Sequence, residues 1–85
     1  MKNVKLFYQE TCPHCKRALK WMEEVAQEHP DLQSVHVEMI EERKNPAIAD
    51  SYDYWYVPTF FVEGRKVHEG IASKEIVERI LRSAL

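Results

Sequence analysis

Apolar residues recur along this chain at two different periods, and the changes of period mark out its elements. Lys2 to Tyr8 is rich in Val, Leu, Phe and Tyr and reads as a strand, with Gln9-Glu10-Thr11 leading out of it. A helix starts near Cys12, and Pro13 suits its first turn, where a missing N–H costs nothing. On a helical wheel Cys15, Ala18, Leu19, Met22, Val25 and Ala26 share one face, while Lys16, Arg17, Lys20, Glu23, Glu24 and Gln27 fill the other. His29-Pro30-Asp31 ends this helix. From Ser34 to Ile40, Val35, Val37 and Met39 alternate with His36 and Glu38, the mark of a second strand. Asn45-Pro46 sets an N-cap before a proline at the first helical position and predicts a short helix to about Tyr52. Thr59 to Val62 is a strand, Glu63-Gly64 a tight turn, and Arg65 to Glu69 the returning arm of a hairpin. Gly70 breaks the chain, and Ser73 caps a last helix whose apolar face is Ile76, Val77, Ile80, Leu81 and Ala84.

The order βαβαββα predicts an α/β fold. A strand–helix–strand opening needs a right-handed crossover and a parallel pair, and the closing hairpin adds an antiparallel one. The economical packing is a four-stranded mixed sheet with helices on both faces. With 85 residues and no linker, repeat or low-complexity segment, residues 1–85 are expected to form a single domain acting as a monomer. A net charge of -2 gives no electrostatic case for nucleic acid or an anionic membrane. No apolar run approaches the ~20 residues of a membrane span, and Met1 to Tyr8 lacks the apolar core of a secretory signal. A cytoplasmic protein is expected.

Cysteine use changes the picture most. There are two cysteines, Cys12 and Cys15, too few to staple a small secreted scaffold. A bridge between them would close a tiny loop and restrict the unfolded chain little, so their purpose is chemical. They lie where the first strand hands over to the first helix. Unpaired N–H groups and the helix dipole favour an anion there, and the thiolate is the nucleophile of disulfide exchange. Cys12 is therefore expected to attack. Cys15, on the apolar face, is expected to be the less accessible thiol that resolves the mixed disulfide.

Tyr8-Gln9-Glu10-Thr11-Cys12-Pro13-His14-Cys15, with Lys16-Arg17-Ala18 after it, resembles the opening of glutaredoxins. Asn45-Pro46-Ala47-Ile48-Ala49-Asp50-Ser51-Tyr52 through Val57-Pro58-Thr59 resembles a run of thioredoxins at the same spacing, and Gly70-Ile71-Ala72-Ser73-Lys74 is similar to their turn into the last helix. The resemblance to the thioredoxin/glutaredoxin family spans nearly the whole chain. It implies a thioredoxin-like fold, a disulfide oxidoreductase without a cofactor, and protein disulfides as substrates. Electrons would come from a reductase or a low-molecular-weight thiol. It also implies a cis peptide at Pro58 facing the cysteines. An extended substrate would pair with the backbone of Val57 beside Pro58 and Gly70. Side chains of Tyr8, Thr11, Trp55, Tyr56 and Ile71 would surround it. The chain departs from the pattern at four places. Leu6 stands where thioredoxins carry a buried acid, and Thr11 where they carry Trp. Gln9 stands where glutaredoxins carry Lys, and Glu69-Gly70 where they carry a glycine pair. The last two make a flavoprotein reductase the expected electron donor rather than glutathione.

Other residues have bland and sharp readings. His14 is either an exposed helix-start histidine or an imidazolium that stabilises the Cys12 thiolate, and its place between the cysteines favours the second. Tyr52, Tyr54, Trp55 and Tyr56 cannot all face inward from a short connection, so one or two are expected at the surface beside the cysteines. Trp21, His29, His36 and His68 read as structural or solvated, and Glu41-Glu42-Arg43-Lys44 as a solvated charge run. Zinc wants four ligands and the histidines show no ligand spacing, so no metal site is expected. The alternative from another class is a non-catalytic binding or metal/iron–sulfur module that keeps the fold.

Overall fold

Leu6 and Phe7 are neighbours on one strand and both are fully buried, at 0% exposure. Successive strand side chains point to opposite faces, so this strand must be covered on both sides. The computed structural model, which describes residues 1–85, shows how. The elements are β1 (Val4–Tyr8), α1 (Pro13–Glu28), a 3-10 turn (Pro30–Leu32), β2 (Val37–Glu41), α2 (Pro46–Asp50), β3 (Thr59–Val62), β4 (Arg65–Glu69) and α3 (Lys74–Ser83). The four strands form one sheet in the order β2-β1-β3-β4. β1 runs parallel to β2, with Leu6 opposite Met39, and antiparallel to β3, with Leu6 opposite Phe60. This is the four-stranded mixed sheet that the element order predicts.

The larger core lies on the Leu6 face. Val4, Leu6, Phe60 and Val62 meet Val25 of α1 and Val77, Ile80 and Leu81 of α3. The opposite face is aromatic. Phe7 and Phe61 meet Ile40 and Ala49, with Tyr52 and Tyr54 packed against them. The Phe7 ring centroid lies 4.8 Å from that of Tyr52, 4.9 Å from Tyr54 and 5.6 Å from Phe61. The tilted and edge-on geometries suit rings that carry a quadrupole. α2 is too short to cover this face by itself, and the aromatic segment after it completes the cover. No helix is long and apolar enough to cross a membrane.

Several local expectations hold. The Ser73 hydroxyl accepts the Ile76 N–H at 3.2 Å and caps α3. The Glu63-Gly64 turn has positive φ at both residues, 51° and 78°, as a two-residue hairpin of the I′ kind requires. Others differ. The second strand starts at Val37 rather than Ser34 and runs on to Glu41, because it pairs with β1 from Val4 to Tyr8. Its inward residue near the end is Ile40; Met39 is exposed at the sheet edge. Asn45 precedes α2 at the N-cap position but caps nothing with its side chain. Its amide instead donates to the Glu41 carbonyl at 3.1 Å. Finally, β4 bulges between its pairings to Phe60 and Phe61, which leaves Val67 exposed.

Phe7 is the shared member of the aromatic cluster, so Phe7→Ala is expected to cost about 3–5 kcal/mol in urea denaturation. Val67→Thr on the bulge is expected to stay within about 0.5 kcal/mol. Similar losses for the two would show that the aromatic face is not a tightly packed core.

Candidate functional site

The end of β1 delivers the chain to the start of α1 through one turn, closed by the Cys12 N–H donating to the Gln9 carbonyl at 3.1 Å. Cys12 is the N-cap of α1, with an extended backbone (φ -81°, ψ 121°), and Pro13 takes the first helical position. The Cys12 carbonyl accepts the first helical bond, from Lys16 at 3.0 Å. Its side chain makes no cap hydrogen bond of ordinary geometry.

Three residues on, Cys15 has turned onto the buried face of α1 at 1% exposure, whereas Cys12 stays partly open; both are free thiols. Burial alone would push the Cys12 thiol up. The N–H and thiol of Cys15, the N–H of His14 and the charge of Arg17 outweigh it and leave Cys12 below the ordinary thiol value. Burial is also the main influence on Cys15, and here it prevails. The Gln9 N–H opposes it, but the hydrogen bond to Cys12 and the charges of Cys12 and Glu42 add to it, and the thiol is pushed up to about 12. One sulfur is therefore disposed to be a thiolate while its partner keeps its proton.

Among the influences on Cys12 is the positive charge of Arg17. His14 contributes its backbone N–H. Its Nδ1 lies 2.6 Å from Arg17 Nη2, and since a guanidinium can only donate, Nδ1 is the acceptor in this contact.

The largest departure from the sequence reading is the run Glu41 to Lys44. Arg43 and Lys44 are exposed, but Glu41 is buried, at 4% exposure. Its carboxylate accepts the Glu10 N–H at 2.9 Å, the Arg43 N–H at 2.7 Å and the Arg43 guanidinium at 3.0 Å. Glu42 accepts from the Gln9 amide at 2.5 Å and from the Tyr54 hydroxyl at 2.6 Å. Lys44 reaches Glu10 at 2.6 Å. The loop that carries Cys12 is thus tied to the end of β2. A second carboxylate, Glu69, ties down the aromatic segment. It accepts the Trp55 N–H, the Tyr56 N–H at 2.9 Å and Lys66 Nζ at 2.7 Å. Sequence reasoning missed Arg17 and these three glutamates as parts of the site. Strand alternation carried one residue further would have laid Glu41 on the sheet; the bonds that join Glu41 to Glu10, Glu42 to Gln9 and Glu69 to Tyr56 span many residues and leave no local signal.

Among the remaining predicted site residues, Trp55 and Tyr56 are 84% and 70% exposed and Ile71 is also exposed. Tyr52 and Tyr54 pack on the aromatic face, so two of the four aromatics reach the surface. The Val57–Pro58 peptide is cis. Pro58 is buried, and its carbonyl accepts the Gly70 N–H at 2.8 Å. Gly70 adopts φ 90°, which favours glycine. Thr11 is exposed, while Tyr8 is half-buried and packs against the larger core. No three His, Cys, Asp or Glu side chains come together in a way that would hold a metal ion.

Residues 2–82 match the family model for the thioredoxin domain. The chain belongs to the thioredoxin family. A thioredoxin from Methanocaldococcus jannaschii is 37% identical over 82 residues, which span 96% of this chain and 94% of that one. Among solved structures, the chain is similar to an uncharacterized thioredoxin-like protein from Clostridium perfringens, with a TM-score of 0.69 at 30% identity over 99% of this chain and 71% of that one. The fold also matches oxidised thioredoxin from Plasmodium falciparum, with a TM-score of 0.75 at 18% identity over 99% of this chain and 82% of that one. Within this thioredoxin-family chain, Leu6 lies wholly inside the larger core, so β1 offers the cysteines no acid.

The thioredoxin-family loop depends on Glu41 as an anion. The Glu10 N–H, ahead of Arg43, holds its carboxyl at about 2 against an ordinary 4.5. A carboxyl lowered by folding adds stability above its unfolded value and loses it as pH falls through the folded one. Glu41→Gln is therefore expected to be less stable than the parent at neutral pH, with the gap closing as pH falls from about 4.5 to about 2. Urea denaturation at stepped pH measures this; a gap that ignores pH would show that the loop does not use the charge.

Proposed function

We propose that the chain is a thiol–disulfide oxidoreductase that exchanges its Cys12/Cys15 dithiol with disulfides in proteins. The observation that carries this is the asymmetry of the pair: an accessible thiol lowered below its ordinary value beside a buried one raised to about 12. The Cys12 thiolate attacks one sulfur of the substrate disulfide, and the other sulfur leaves and takes up a proton. Cys15 then loses its proton and attacks the Cys12 sulfur. The second substrate sulfur leaves as a thiol, and the Cys12–Cys15 disulfide remains. A flavoprotein reductase restores the dithiol in this reading. Gln9, in the place where glutaredoxins carry Lys, has its side chain engaged by Glu42.

The same reading gives the substrate its place. Neither the N–H nor the carbonyl of Val57 has a hydrogen-bond partner in the backbone, so an extended peptide can pair with it as an added strand. Trp55, Tyr56 and Ile71 stand exposed around it, and aromatic side chains bury much area with little rotamer loss. Pro13 and His14 border the same approach to Cys12.

Insulin reduction by dithiothreitol tests the assignment of the thiols. Cys12→Ser is expected to abolish it. Cys15→Ser is expected to accumulate mixed disulfides that a non-reducing gel resolves. Equal activity of the two variants would overturn the assignment. Trp55→Ala tests the groove: it is expected to weaken reduction of insulin several-fold while a small disulfide is reduced as before. Equal loss on both substrates, or loss of the fold, would make Trp55 a structural residue.

A further inference from the structure

Trp55 and Tyr56 stand so far out of the surface that packing does not fix where their rings lie. Their position is set by their backbone, which runs between Asp50 of α2 and Thr59 of β3 without belonging to a helix or a strand. Neither of their N–H groups reaches a backbone carbonyl. One side chain supplies the acceptor that the backbone does not. Oε2 of Glu69 accepts the N–H of Trp55 and, at 2.9 Å, that of Tyr56. Hydrogen bonds to a carboxylate are stronger than those to a neutral acceptor.

Glu69 is itself held. Its Oε1 accepts from Lys66 Nζ at 2.7 Å, and the same ammonium donates to the Asp53 carbonyl at 3.2 Å, a second tie to the segment. Lys66, ahead of the Trp55 and Tyr56 N–H groups, keeps the Glu69 carboxyl at about 2 against an ordinary 4.5, so it is charged at neutral pH. Glu69 pairs opposite Thr59, and the Thr59 hydroxyl donates to the Tyr56 carbonyl. On either side of Glu69, the Gly70 N–H donates to the Pro58 carbonyl at 2.8 Å and His68 Nε2 donates to the Ile71 carbonyl at 2.9 Å. Three successive residues, His68 to Gly70, thus hold Ile71, the aromatic pair and Pro58 in place.

We propose that Glu69 is a positioning residue for protein substrates: by holding the backbone of Trp55 and Tyr56 it presents both rings to a partner chain laid along Val57, and so sets how fast a protein disulfide is reduced relative to a small one. This rests on the groove reading of Val57 and the aromatic pair. Glu69 acts through the two rings and takes no part in the thiol chemistry. A segment fixed before the partner arrives need not be ordered on binding, and the lower ordering cost favours the complex.

Second-order rate constants for oxidation of the reduced protein by insulin and by hydroxyethyl disulfide, read by quenching and alkylating the remaining thiols, test the role. Hydroxyethyl disulfide is too small to span the groove and reports Cys12 alone. Glu69→Ala is expected to lower the insulin rate about tenfold and to leave the hydroxyethyl disulfide rate unchanged. Glu69→Gln keeps an oxygen that can accept the two N–H groups but loses the charge that holds Lys66, and is expected to fall between Glu69→Ala and the parent. In a Trp55→Ala/Tyr56→Ala background no rings are left to present, so Glu69→Ala is expected to add no further loss. An unchanged insulin rate in Glu69→Ala overturns the proposal. So does equal slowing on both disulfides, or the same loss with and without the two rings, since Glu69 would then serve the fold or meet the partner itself. If urea denaturation shows that Glu69→Ala does not fold, Glu69→Gln decides in its place: slowing with insulin alone supports the role, and a parent-like rate or slowing on both disulfides overturns it. If the Trp55→Ala/Tyr56→Ala protein reduces insulin like the parent, the groove reading itself fails and the proposal falls with it.

Discussion

The structure depends on burying β1 on both faces. Two adjacent large residues, Leu6 and Phe7, can leave water together only if the strand has helices on one side and an aromatic cover on the other. That requirement calls for α1 and α3 on the Leu6 face, and for α2 with Tyr52 and Tyr54 on the Phe7 face. It also places β1 between β2 and β3, so the end of β1 opens at the middle of the sheet edge. The Cys12 loop leaves from that point. The site lies there because a strand covered on both faces ends there.

From that origin the difference between the two thiols follows by helical geometry. A step of three residues at the start of α1 keeps Cys12 at the mouth and carries Cys15 under the helix. The first-turn N–H groups have no helical partners and favour a negative sulfur at Cys12. The same turn removes Cys15 from water, which opposes its ionisation. No cofactor residue is needed to distinguish the sulfurs; a helix start and a buried face are enough. Arg17, one turn into α1 on the exposed side, adds positive charge without entering the core.

The backbone architecture was legible because it rests on local periodicity. The wheel of α1, the β3–β4 hairpin around Glu63-Gly64 and the Ser73 cap each carry their signal within a few neighbouring residues. The position of the cysteines was legible for the same reason. The polar frame was not. Glu41 reads as one acid in a run of charges, and its burial comes from pairing opposite Tyr8 and from donors on a loop some thirty residues earlier. Glu69 reads as a strand end, yet it holds the backbone of Trp55 and Tyr56 across the sheet. The start of β2 was misplaced because alternation continues upstream of Val37, while pairing begins only where β1 supplies a partner. Composition and spacing report which side chains can be buried; which acid turns inward is decided by the donors that the fold brings to it.

These carboxylates divide the work at the mouth of the site by the kind of donor each one meets. Glu41 meets two backbone N–H groups and a guanidinium, and a carboxylate so held is an anchor with little appetite for a proton. Glu42, the next residue, meets an amide and a phenol. Two adjacent glutamates therefore tie down the turn before Cys12 in different ways, Glu41 through the Glu10 N–H and Glu42 through the Gln9 side chain. The apolar Leu6 fits this arrangement. With the polar contacts of the loop supplied from the end of β2, Leu6 of β1 can lie wholly inside the larger core.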